Sequence, residues 1–147
     1  MLTINIIKRM NIPIYLGRIW NDITDYSQFE HIYIYAHQSH FYPYIFSNLS
    51  SLTDNCTIYF LHSKNKLSGY EGYDHSKNLL VNETKIKKEN IKFIPFLYSH
   101  ENMINTMNES LSVVEYFKNN KISNILLIST VFHLPRAFIT FLSASIK

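Results

Sequence analysis

The chain has 147 residues, 46% of them hydrophobic, which is enough for one domain with a sizeable core and too few for two ordinary ones. A net charge of +3, spread in both signs with no basic block longer than Lys85 to Lys92, lacks the charge concentration of a nucleic-acid binder, so no nucleic-acid partner is expected. One cysteine, Cys56, excludes an internal disulfide framework and a cysteine-rich zinc site, and fits a reducing compartment.

Asn5, Lys8, Arg9 and Asn11 interrupt the apolar N-terminus, so neither a membrane span nor the apolar region of a signal peptide is expected there, and a cytoplasmic location is the default. Residues 1 to 30 are predicted as a helical region of one or two helices, with Trp20 in the turn Arg18-Ile19-Trp20-Asn21, packed outside the first strand. Four short runs then have the length and composition of buried strands: Ile32 to Tyr35, Thr57 to Leu61, Lys92 to Leu97, and Ile125 to Ser129. Pro95 counts against the third run or places it at a sheet edge, because proline cannot donate to the ladder. Between the runs, Tyr42 to Leu52, Asp74 to Glu89, Thr106 to Asn119 and Leu134 to Ser143 have helical spacing. Asn119-Asn120 stops the third of these, and Pro135 sits at a permitted first-turn position of the fourth.

Strands that alternate with helices, and that are apolar at every residue, predict an α/β domain. Its sheet is mostly parallel, of at least four strands, with right-handed crossover helices on both faces. The whole of 1–147 is taken as one such domain. Ligands bind such sheets just beyond the carboxyl ends of the strands. Five of the seven histidines, His37, His40, His62, His100 and His133, fall in the segments that follow the four runs.

Each segment has an ordinary and a chemical interpretation. In Ser129-Thr130-Val131-Phe132-His133-Leu134-Pro135-Arg136-Ala137, His133 is either a polar residue at a helix start with Arg136 in solvent, or the two frame an anion pocket. A helix N-terminus offers backbone N–H groups and partial positive charge, and an arginine adds a planar fork of donors. Asn105 or Thr106 caps the third helix, with Asn108 or Glu109 closing a capping box, and the same turn faces the ligand edge. Ser63-Lys64 after the second strand is either solvated or a phosphate contact. His37 and His40 have a spacing compatible with metal only if a third ligand comes from elsewhere, so no metal is expected. No G-x-S-x-G elbow or G-x-G-x-x-G turn is present, and Gly69-Tyr70-Glu71-Gly72 does not form a phosphate loop.

Asn105-Thr106-Met107-Asn108-Glu109, followed by Ile125 to Thr130 and by Phe132-His133-Leu134-Pro135-Arg136-Ala137, resembles the domain of unknown function 218 family, the YdcF, SanA and ElyC-like proteins. Its marks are an asparagine-threonine-x-glutamate-asparagine turn and, after a helix and a strand, an aromatic residue, histidine, any two residues, arginine and alanine. The likeness extends loosely from residue 17 to the end. Asn108-Glu109 reverses the family's glutamate-asparagine order, moving the carboxylate about 100° around the helix, a displacement that can point it out of the pocket. His37-Gln38 and His62-Ser63-Lys64 replace glycine-containing turns, and Lys147 falls before the strand and helix that relatives carry next, as in a minimal or shortened fold.

The resemblance implies a Rossmann-like three-layer domain of the bacterial YdcF type without a membrane anchor. It also implies a pocket at the strand ends for a phosphate-containing or nucleotide-like ligand, with S-adenosylmethionine suspected as cofactor and a transferase-like role. The expected contacts are Asn105, Thr106, Glu109, Ser129, Thr130, His133, Arg136, Ser63, Lys64 and His37, with His133 the candidate catalytic group. The alternatives are a phosphate-ester hydrolase or phosphotransferase linked to envelope metabolism, and a degenerate, non-catalytic interaction domain.

Overall fold

A computed structural model describes residues 14–16, 29–35, 41–47, 49, 55–62, 73–84, 86–97, 105–130 and 132–146. In chain order the elements are β1 (Ile14–Leu16), β2 (His31–Ile34), α1 (Tyr42–Ser47), β3 (Thr57–His62), α2 (Tyr73–Glu83), a 3₁₀ turn (Lys88–Asn90), β4 (Ile91–Pro95), α3 (Thr106–Asn119), β5 (Ile125–Ile128) and α4 (Leu134–Ile146). The strands form one sheet in the order β1-β5-β2-β3-β4, and every pairing is parallel.

The alternation of side chains along a strand explains why the strands are apolar throughout. Ile32 and Ile34 of β2, Ile58 and Phe60 of β3, and Leu126 and Ile128 of β5 pack with Tyr42, Ile45 and Phe46 of α1 and Leu80 of α2. Tyr33 and Tyr35, Tyr59 and Leu61, and Ile125 and Leu127 point the other way, against Val113, Val114 and Phe117 of α3 and Ala137, Phe141 and Ala144 of α4. The result is the expected three-layer, Rossmann-like α/β arrangement. The two layers differ chemically. The α1/α2 side is mostly hydrocarbon and stacked rings, with Tyr42 on Phe46 at 5.3 Å. The α3/α4 side also contains tyrosine hydroxyls, Glu109 and Ser110.

Three expectations need correction. Residues 14–16 form a strand, β1, on the edge beside β5, where a helix was expected; of the rest of the predicted N-terminal helical region only Phe29 and Glu30 are described. The second predicted helix ends at Glu83, not Glu89. The Thr84 hydroxyl donates to the Leu80 carbonyl at 2.7 Å and accepts from the Ile86 N–H at 3.2 Å, turning the backbone out of the helix toward the 3₁₀ turn. The last helix continues to Ile146. Pro95 closes β4, which among the described residues pairs only with β3 and so forms the sheet edge anticipated for a proline-containing strand.

α3 runs over the predicted Thr106 to Asn119 and stops by a recognisable mechanism. The Ile122 N–H bonds the Phe117 carbonyl at 2.9 Å and the Lys121 N–H bonds that of Lys118 at 3.2 Å, with Lys121 left-handed at φ 55°. This paired arrangement satisfies carbonyls that the last turn would leave exposed, and Ile122 packs into the core that contains Phe117.

Candidate functional site

β2 and β5 are neighbours, yet the chain leaves β2 toward α1 on one face and β5 toward α4 on the other. The topological switch point, at which open parallel sheets hold ligands, therefore falls between their carboxyl ends. At that point the Tyr35 N–H bonds the Ile128 carbonyl at 3.0 Å, and Ser129 and Thr130 lead from β5 into the start of α4.

The entry to α4 fixes the candidate pair. The Thr130 carbonyl accepts from the N–H groups of His133 at 3.0 Å and Leu134 at 2.8 Å, and the His133 carbonyl accepts from the Ala137 N–H at 2.9 Å. His133 thus stands at the N-cap position, and Pro135 falls within the first turn, where its missing N–H costs nothing. One turn on, the Arg136 guanidinium reaches back to His133 Nδ1 at 3.0 Å. A guanidinium only donates, so Nδ1 accepts and the imidazole is neutral with its proton on Nε2. Burial lowers the His133 pKa below its ordinary 6.5, and the adjacent Arg136 charge lowers it further. His133 is half-buried with its ring 5.8 Å from that of Tyr35, while Arg136 is exposed.

Behind the pair lies a polar network among β2, α3 and α4. The Tyr35 hydroxyl is 2.9 Å from Ser110 Oγ and 3.1 Å from the Ala137 carbonyl. Ser110 donates to the Thr106 carbonyl at 2.7 Å and is 3.0 Å from Thr140 Oγ1, which is itself 2.9 Å from the Arg136 carbonyl. The Tyr33 hydroxyl donates to Glu109 at 2.6 Å. Burial, then the Glu109 charge, raises the Tyr35 pKa far above the usual range, so this phenol acts as a neutral hydrogen-bonding group at all ordinary pH.

The proposed contacts are therefore divided. His133, Arg136, Ser129 and Thr130 come together at the end of β5 and the start of α4. Asn105 is the cap, accepting from the Asn108 N–H at 2.8 Å, and Thr106 lends its carbonyl to Ser110. Glu109 is only 2% exposed and turned into the protein, where its carboxylate accepts from the Tyr33 hydroxyl at 2.6 Å. His37, Ser63 and Lys64, with His40, Tyr98 and His100, lie outside the described residues. Tyr33, Tyr35, Ser110 and Thr140 were not singled out from the sequence. The available signal was a hydroxyl on alternate residues of a strand otherwise built of isoleucine.

What the described residues present at the switch point is suited to an anion: a fork of donors, a helix start and a titratable ring. The described residues contain no cluster of three or more His, Cys, Asp or Glu that could hold a metal, and no helix long and apolar enough to cross a membrane. Comparison with protein-family models, curated proteins and solved structures gives no match.

Proposed function

We propose that the protein binds a small phosphate-containing or nucleotide-like ligand at the β2–β5 switch point, with Arg136 and the first turn of α4 receiving the anionic group. The observation that carries this is the convergence of the sheet's switch point with the His133–Arg136 pair at the start of α4. The sequence resemblance to the YdcF, SanA and ElyC-like family supports it, because His133 and Arg136, at the start of α4, belong to the stretch Phe132 to Ala137 that carries part of that likeness. The Tyr35 ring packs beside the imidazole, 5.8 Å between centroids. The donor set favours a phosphate group over S-adenosylmethionine.

A second interpretation, phosphate-ester hydrolysis or transfer with His133 as general base, is favoured by its lowered pKa, which leaves the imidazole unprotonated near neutrality. The two are separated by titrating the purified protein with nucleotides and sugar phosphates while following binding heat and phosphate release. Binding without turnover, weakened about tenfold or more in Arg136→Ala, is expected, a loss appropriate to one charge-assisted contact. Affinities unchanged by that substitution would sink the pocket assignment.

A further inference from the structure

We propose that His133 and Arg136 form a proton-coupled latch. An anion reaching the start of α4 draws the guanidinium off Nδ1, and Nδ1 then takes up a proton, so that the ligand meets an imidazolium as well as a guanidinium. This rests on the anion-binding function proposed above and adds how that site responds to pH.

The geometry makes the two states mutually exclusive. The 3.0 Å contact needs the lone pair of Nδ1, and a proton on Nδ1 needs the same lone pair. The partners also differ in mobility. Arg136 is exposed at the end of a long side chain and can turn to a ligand. His133 is held by its main chain, whose N–H and carbonyl both serve the helix start, and by the Tyr35 ring. Withdrawal of the arginine therefore leaves the imidazole in place, with the neighbouring positive charge moved away and a negative charge brought near. Both changes favour the imidazolium.

Among the described residues, the titratable and charged groups facing this pair are Arg136 on α4 itself, Tyr35 from β2, which stays neutral, and Glu109 from α3 behind Tyr35. Glu109 is held by the Tyr33 hydroxyl at 2.6 Å, and its charge acts on Tyr35. Burial and Arg136 hold the His133 pKa down in the latched state, which keeps Nδ1 without a proton near neutrality.

Sulfate is the appropriate probe because it keeps its double charge throughout the range in which histidine titrates. NMR of the His133 imidazole in the full chain, across about pH 5 to about pH 8, gives its pKa with and without sulfate, and calorimetry gives the affinity at each end. A rise in pKa with sulfate is expected, and each unit of rise appears as a tenfold gain in affinity at the acid end. Arg136→Gln is expected to raise the pKa without sulfate, and His133→Gln to bind sulfate equally at both ends. Sulfate that binds and is weakened by Arg136→Gln, yet leaves the His133 pKa unmoved, would overturn the latch and leave the anion site standing. Failure of sulfate to bind at all would remove both.

Discussion

Replacing Tyr35 by Phe removes one oxygen from a fully buried side chain and tests whether the hydroxyl network sets the position of α4. That oxygen is 2.9 Å from Ser110 Oγ and 3.1 Å from the Ala137 carbonyl, so one donated and one shared hydrogen bond are lost. A net hydrogen bond contributes about 0.5–1.5 kcal/mol. The loss is moderated because Ser110 keeps the Thr106 carbonyl and Thr140, and the Ala137 carbonyl keeps the Thr140 hydroxyl at 3.0 Å, so no buried group is stranded. The expected destabilisation is about 1–2 kcal/mol, which lowers Tm by about 2–8 °C for a domain of this size. Ser110→Ala touches the same network, and a double-mutant cycle should return a coupling of about 0.5–1 kcal/mol. Urea unfolding followed by circular dichroism supplies the free energies. A Tyr35→Phe variant as stable as the parent, or effects of the two substitutions that add exactly as for distant sites, would refute the claim that this network joins β2 to α3 and α4.

Two further outcomes are expected. Lys121 carries the left-handed backbone that closes α3, at φ 55°, where a side chain is unfavourable and glycine is not; Lys121→Gly should raise stability by about 0.5–1 kcal/mol in the same unfolding assay, whereas a loss would show that the side chain matters more than the backbone. His133 and His31 both have folded-state pKa values below the ordinary 6.5, in each case through burial first. The unfolded chain therefore binds more protons below 6.5, so their contribution to stability is fully present above that pH and is lost as pH falls through the folded values. Replacing both by Gln should flatten the acid side of the unfolding curve between about pH 6.5 and about pH 5, and an unchanged slope would contradict the burial of these rings.

Much of the fold was legible in the sequence, because a strand covered on both faces must be apolar at every position and few other elements look like that. The runs around Ile32, Thr57, Lys92 and Ile125 are four strands of the sheet, and α3 has its predicted bounds because Asn105 and the Asn119-Asn120 stop are local capping chemistry. The candidate site was legible in part. His133 and Arg136 were legible because their spacing at a helix start is a local matter. β1 was not: three residues between Pro13 and Gly17 form a strand only because β5 offers them a ladder from the far end of the chain.

From β2 onward, sequence by itself determined element type, parallel layering and the capped start of α3, each dictated by periodicity or by side chains bonding within a few residues. Tertiary structure alone decided the strand order that brings β2 beside β5, the hydroxyl network from Tyr35 to Ser110 and Ala137, and the inward turn of Glu109. These contacts join residues 75 or more positions apart. Such partners are selected by which faces the packed layers bring together, a choice that no local stretch of the chain encodes.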